Sequence, residues 1–355
     1  MPRAKVAKSQ EIAHRLPPWT PSNLVGPLTE KEWDWPHRKL LLPDVWKKHR
    51  GAGVKVAVLD TGIDANHDDL KGQIIAAKDF TGSRSGHADK MGHGTHCAGI
   101  IAAVEDDKGI MGGSPDLGKD GGGLIIAKVL GDDGSGQSSW IARGIEWAIS
   151  QGAKIVSMSL GSPFRDDRII DAIKLGLSAD VIFVCAAGNE GQRGVGWPGA
   201  YEGVISVAAY DKNFQIAPFS SRGPEVDIAA PGVDILSTVP VNSYARMSGT
   251  SMATPWVASI CALLISSNKK VKWDCAKVKA KLIGQAQDAG SPGFDNDYGY
   301  GLIRPDRIEG EGVPPPVVPP IGDKPGIEIG GGYFKGPIVL DGWNGVFVGF
   351  TKVAK

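Results

Sequence analysis

The stretch VKVAVLDTGID, residues 54–64, is a short run dominated by Val, Ala and Leu that ends on an acidic residue and a glycine turn. Apolar residues at consecutive positions, rather than at every second one, mark a strand buried on both faces. Four further runs, 124–130, 155–160, 181–186 and 204–209, have the same Val- and Ile-rich character. Helical patterns lie between most of them. Residues 140–150 carry Ile141, Ile145 and Ala148 at helical spacing, and 169–177 and 252–266 do the same. This alternation predicts an α/β fold, a doubly wound and mostly parallel sheet with helices on both faces. Open sheets of that kind hold their reactive groups beyond the carboxyl ends of the strands, and Asp60 stands at such an end.

Two other segments complete a pattern with Asp60. His93 lies in GHGTHCAG, residues 92–99, and opens a helical run to 101, while Ser251 lies in SGTSMATP, residues 248–255, and begins the apolar helix that follows. A serine hydroxyl is a poor nucleophile at neutral pH. It needs an imidazole to take its proton and a carboxylate to orient that imidazole. A helix N-terminus favours developing negative charge, which suits a nucleophile at position 251. Alone, DTG is a strand followed by a turn and GTS a helix cap; the three segments together argue for nucleophilic catalysis. Their order, Asp then His then Ser, is that of the subtilisin-like serine proteases. With KVLGDDGSGQ at 128–137 and VCAAGNEG at 184–191 added, the chain resembles that family from about residue 43 to 307 and, within it, the bacterial intracellular subtilisins.

The resemblance implies a serine endopeptidase acting through an acyl-enzyme, with Asp60, His93 and Ser251 as the triad. Asn189 matches the family's oxyanion asparagine, donating its side-chain amide beside the backbone N–H of Ser251. Gly134, Ser135 and Gly136, with Ser159, Leu160 and Gly161, match two edges that sandwich an extended peptide through its main chain. Ser159 to Gly161, Ala186 to Gly188 and Gly196 match the walls and floor of the primary specificity pocket, which implies a preference for large apolar residues before the scissile bond. Glu190 matches its rim, where a carboxylate could also accept a basic residue, so broad specificity is expected. Structural calcium is implied by carboxylates at Asp69 and Asp106 and carbonyls of Val104, Lys108 and Ile110. A weaker cation site is implied at Gly199, Tyr201, Val204 and Asp211. Leu16, Pro17, Pro18 and Trp19 resemble an inhibitory segment that lies back across the active site; proline lacks an N–H and fixes φ, which disfavours a cleavable geometry. One departure is Trp256, which stands where the family usually has His and bears on packing rather than chemistry. The alternative is a catalytically silent subtilisin-like binding protein, which would have no chemical need for all four of Asp60, His93, Asn189 and Ser251.

Length and composition agree with this reading. The chain has 355 residues, enough for one large catalytic core with extensions. Its 39 Lys and Arg balance 39 Asp and Glu, so no net field favours nucleic acid or an anionic membrane, and a polypeptide substrate is the expected partner; a homodimer is left open. No run reaches the ~18 apolar residues of a membrane span, and MPRAKVAKSQEIAHRLPP has no apolar h-region. A leader-less cytoplasmic protein is expected, with release by a non-classical route left open. The cysteines at 97, 185, 261 and 275 are then expected to be reduced thiols. No organic cofactor is expected. Residues 1–42 read as an N-terminal extension, 43–309 as the catalytic domain, 310–325 as a proline-rich linker and 326–355 as a short glycine- and aromatic-rich β tail.

Overall fold

The computed structural model describes residues 11–15 and 20–309. The linker 310–325, the tail 326–355 and the segment Leu16, Pro17, Pro18 and Trp19 lie outside the described residues. Its central sheet has seven strands, all parallel, in the order Ile74–Asp79, Gly123–Lys128, Lys55–Asp60, Ile155–Met158, Ile182–Ala186, Ile205–Tyr210 and Ile228–Pro231. Helices cover both faces. Val56, Val58, Leu124 and Ile126 pack with the helices His93–Ala102, Thr250–Ser267 and Cys275–Gln285, while Ala57, Leu59, Ile125 and Ala127 pack with Ser138–Ser150 and Asp167–Ser178. Successive strand residues thus enter opposite layers, which is why the runs lack polar alternation.

The chain enters the sheet at its middle and builds one side through 74–79 and 123–128. It then crosses to the other side at 155–158. The crevice beyond the carboxyl ends of Lys55–Asp60 and Ile155–Met158 is therefore the topological switch point, where such sheets hold ligands. The helix Thr250–Ser267 runs beneath it with fifteen of its eighteen residues buried, so a segment long and apolar enough to cross a membrane serves here as the core helix. All four cysteines are buried and unpaired, as expected.

The sequence reading missed four kinds of element. It passed over the edge strand Ile74–Asp79, half-exposed along its length, and the strand Ile228–Pro231 at the other edge. It missed the helix Cys275–Gln285 and the hairpin Ile235–Val239 with Ser243–Ser248, which leads into Ser251. Nor did it assign strands to the extension, where Ala13–Arg15 pairs antiparallel with Ser135–Gln137, and Thr20–Gly26 adds an antiparallel edge strand to Ser243–Ser248. The helix Trp35–Lys39 follows, and His37, Leu40 and Leu42 are buried with the rest of the core.

Candidate active site

Strand and helix ends bring the predicted residues together. Asp60 closes its strand and His93 opens its helix, and His93 Nδ1 lies 2.8 Å from Asp60 Oδ1, both side chains fully buried. Asp60 Oδ1 also accepts from the backbone N–H of Thr61 at 2.7 Å, which fixes the carboxylate. Burial pushes the His93 imidazole down, but the Asp60 carboxylate pulls harder, and His93 stands well above its ordinary value.

Asp89, which the sequence reading did not single out, holds this pair in register. Its Oδ1 accepts from Thr61 Oγ1 at 2.9 Å, Met91 N at 3.0 Å and Gly92 N at 2.8 Å, and its Oδ2 from Thr95 N at 2.9 Å and Thr95 Oγ1 at 2.7 Å. The carboxylate thereby caps the His93 helix, whose own N-cap, Gly92, has no side chain to do so. Thr61 Oγ1 in turn accepts from Gly94 N at 2.9 Å, tying the helix to the residue next to Asp60. An acidic residue three positions before a glycine at a helix start was the available signal.

Ser251 is the second residue of Thr250–Ser267 and is fully buried. Its hydroxyl lies 3.3 Å from the carbonyl of Ser159. Pro255 cannot supply the helical N–H that would meet the Ser251 carbonyl. Ser159 Oγ donates to that carbonyl instead at 2.9 Å, and Cys97 Sγ at 3.5 Å. The same sulfur lies 4.0 Å from His93 Nδ1, so Ser251 and His93 adjoin across Cys97. Burial raises the Cys97 thiol pKa, with His93 opposing, and the thiol is enclosed by protein; it is placed as packing, not as a competing nucleophile.

Asn189 lies just beyond the strand Ile182–Ala186 and is almost fully buried. Its Oδ1 accepts from Thr250 N at 2.9 Å and Thr250 Oγ1 at 2.8 Å, which directs Nδ2 the other way. A Cβ on Gly249 would meet Asn189 Nδ2 at 3.1 Å and Ser251 N at 3.6 Å, so the two donors flank one small space that only glycine leaves open. Two donors around one point are what an oxyanion needs.

A cavity of about 480 Å³ adjoins this point. Of the residues expected at the pocket, Gly161, Ala186, Gly188, Glu190 and Gly196 line it, whereas Ser159 and Leu160 do not. Among the lining residues not expected are Arg193, whose guanidinium is 3.6 Å from the Glu190 carboxylate, and Ala13 of the extension. The Glu190 rim carboxylate is thus already opposed by a cation. On the facing side Gly134, at φ +76°, makes the turn before Ser135–Gln137, a conformation in which a side chain would be strained.

The two cation sets differ. Asp69 is buried; its Oδ2 accepts from Ile110 N at 2.8 Å, and the Tyr244 hydroxyl also hydrogen-bonds the carboxylate. Burial raises the Asp69 carboxyl, and Asp106 adds to the rise. A buried carboxylate whose charge is held back by burial and by a second carboxylate, beside the loop 104–110 and its carbonyls, fits a hard cation such as Ca²⁺. The second set fits poorly. The Val204 carbonyl accepts from Lys279 Nζ at 3.1 Å, that of Tyr201 from Val204 N, and Asp211 Oδ1 from the amides of Asn213 and Gln215. A fixed ammonium already meets the Val204 oxygen offered to an ion, and no second ion is argued for there.

Comparison with known proteins gives the same picture. Residues 51–301 match the Subtilase family. An intracellular serine protease of Paenibacillus polymyxa is 48% identical over 231 residues, 62% of this chain and 69% of the relative. Subtilisin DY of Bacillus licheniformis is 39% identical over 259 residues, 72% of this chain and 90% of the relative. The major intracellular serine protease of Bacillus subtilis (strain 168) is 43% identical over 235 residues, 63% and 72% of the two chains.

The raised His93 gives a pH prediction. Only a neutral imidazole can take a proton, so labelling of Ser251 by a fluorophosphonate should fall as pH drops through a value well above the ordinary His range of about 6.5. In Asp60→Asn the carboxylate's pull is gone and burial remains. The acid limb should move to lower pH while the labelling rate falls by about 10⁴-fold. A limb left unmoved by Asp60→Asn would count against the pair.

Proposed function

The chain belongs to the subtilase family of serine proteases, and from that we propose an endopeptidase that cuts polypeptides through an acyl-enzyme on Ser251. The buried Asp60–His93 pair, linked through Cys97 Sγ to the Ser251 carbonyl, is the observation that supports it most. His93 takes the hydroxyl proton as Ser251 Oγ attacks the scissile carbonyl, and Asp60 stabilises the imidazolium that forms. Asn189 Nδ2 and Ser251 N–H receive the oxyanion. His93 then gives the proton to the leaving amine, and water repeats the sequence to free the acid. A silent binding protein would not require the Asn189 amide to be oriented by Thr250.

The specificity we propose is for large apolar residues before the scissile bond, since the cavity beside Gly161 and Gly196 has room for them. A basic residue would have to displace Arg193 from Glu190. The assignment is tested directly by Ser251→Ala. Fluorophosphonate labelling and peptide hydrolysis should disappear, with His93→Ala about as damaging, while thermal unfolding stays unchanged. Turnover retained by Ser251→Ala would reject the reading.

Calcium is proposed at Asp69, Asp106 and the carbonyls of Val104, Lys108 and Ile110, as a brace for the fold with no part in bond cleavage. An ion bound only by the folded state stabilises it by roughly 3 kcal/mol at a hundredfold excess over Kd. A chelator should therefore lower Tm by several degrees, and Asp106→Ala should have the lower Tm from the start and little further response. An Asp106→Ala chain with unchanged Tm and full chelator response would remove the site. A cytoplasmic location is proposed as well, by analogy with the two relatives named as intracellular.

We also propose that the N-terminal extension inhibits the enzyme. Arg15 is paired with Ser135 on one edge of the cleft and Thr20 with Ser248 on the other, three residues before Ser251. Arg15 and Thr20, the described residues nearest to Leu16, Pro17, Pro18 and Trp19 in the chain, are thus paired to two different strands, one of them leading into Ser251. His14 helps to hold the first strand, its Nε2 3.0 Å from Ser138 Oγ, with Glu11 on Arg168 at 2.8 Å. Burial pushes His14 down to about 4, with Asp166 and Glu11 opposing and Arg168 assisting. The released strand would have an ordinary histidine. Docking is then fully favourable above about pH 6.5 and weakens as pH falls toward 4, by at most about 3 kcal/mol. In the inactive Ser251→Ala chain, where turnover does not enter, the protection of the amides over 11–15, taken relative to their intrinsic exchange rate at each pH, should fall between about pH 7 and 5, and His14→Gln should abolish that dependence. Protection unchanged between the two values in the parent would exclude His14 as the sensor.

A further inference from the structure

The strand Thr20–Gly26 points to a second part of the substrate site. It lies at the edge of a three-stranded sheet, antiparallel to Ser243–Ser248, with Thr20 opposite Ser248, Asn23 opposite Arg246 and Gly26 opposite Tyr244. Its large apolar side chains stay outside the core: Leu24 is 75% and Val25 43% exposed. Main-chain pairing therefore holds it, and such pairing is indifferent to sequence. The ladder is interrupted twice by register shifts, at Tyr244/Ala245 and Arg246/Met247, which weakens it further.

Direction matters as much as contact. Followed from Ala13, the chain runs along Ser135–Gln137 first and along Ser243–Ser248 second, with Ser251 next to the start of the second edge. A polypeptide held for cleavage would have the same polarity, its residues before the scissile bond on the first edge and those after it on the second. Arg246, the charged residue of that edge, is occupied by Asp34 at 3.1 Å and by the Asp234 carbonyl at 2.8 Å, which leaves the edge a main-chain recognition surface.

We propose that the outer edge of Ser243–Ser248 is a primed-side binding strand that takes about six residues of an extended substrate after the scissile bond by β-augmentation, and that Thr20–Gly26 is the stand-in it displaces. The substrate class is unfolded polypeptide with a long stretch beyond the cut, rather than short peptides. This rests on the endopeptidase reading. Tethering of Thr20–Gly26 does not prevent exchange, because a substrate already seated on Ser135–Gln137 presents its own primed residues at a comparable effective concentration.

The test uses the full-length chain at steady state and peptides with one fixed sequence before the scissile bond and one, two, four, six or eight residues after it. kcat/KM should rise at least tenfold between two and six primed residues, through KM, and level off beyond six. N-methylation at alternate residues past the second should undo the gain, and at the intervening ones leave it. In the Ser251→Ala chain the six-residue peptide should speed amide exchange over 20–26 while 243–248 stays protected. A plateau at two primed residues, a flat N-methyl scan or unchanged exchange over 20–26 would overturn the proposal with the protease intact. A chain that cleaves no peptide and takes no fluorophosphonate at Ser251 would overturn the endopeptidase reading, and this one with it.

Discussion

A helix that begins in the middle of a protein leaves N–H groups with no intrahelical partner in a place water cannot reach, and Thr250–Ser267 is such a helix. Gly249 offers no side-chain cap, so the cap comes from another loop: Asn189 Oδ1 takes both the N–H and the hydroxyl of Thr250. That single contact satisfies a buried donor and orients the Asn189 amide. It also leaves the next N–H, that of Ser251, facing the same space as Asn189 Nδ2. The oxyanion donors are thus a by-product of how the helix start is capped, and their preorganisation costs nothing beyond folding.

The same economy governs the Ser251 carbonyl. Proline at 255 removes the helical donor, and the Ser159 hydroxyl and Cys97 thiol replace it. Those two residues come from the strand end that forms the substrate edge and from the His93 helix, so the carbonyl of the nucleophile ties three elements together. Asp89 does the equivalent for the general base. Its five accepted bonds fasten the start of the His93 helix to Thr61, adjacent to Asp60, and a shift of that helix would break them together. The reacting side chains therefore move as parts of the scaffold, which is what a near-attack geometry requires.

What the sequence disclosed follows from this organisation. The inner strands were legible because residues on both faces are buried, which leaves an apolar run with no alternation; Ile74–Asp79, with Ile75 44% exposed, lacks that signature. The triad was legible because its three segments are locally distinctive. Asp89, Arg193 and Lys279 were not, because each acts through a partner distant in the chain or one turn away, and nothing in the local spelling specifies it. Thr20–Gly26 was hidden for another reason. It contains proline and pairs at an edge by its main chain, so neither propensity nor hydrophobic period marks it.

The extension has two unlike halves, and they differ in how far they are committed to the fold. From 34 onward the residues enter the core: Asp34 pairs with Arg246, His37 bonds the Met111 carbonyl at 2.6 Å, and Leu40 and Leu42 are buried. His37 meets Trp256 edge-on at 5.3 Å, so the tryptophan that departs from the family pattern is packed by the extension itself, although its Nε1 has no partner among the described residues. Removing this half would open a cavity beneath the helix that carries Ser251. In the outer half Leu24 is 75% and Val25 43% exposed. Free energies of local opening follow buried apolar contact, so the outer half can leave at a cost far below that of global unfolding while the inner half stays. Burial of the extension begins between Gly26 and Asp34, and not at the start of the family resemblance near residue 43.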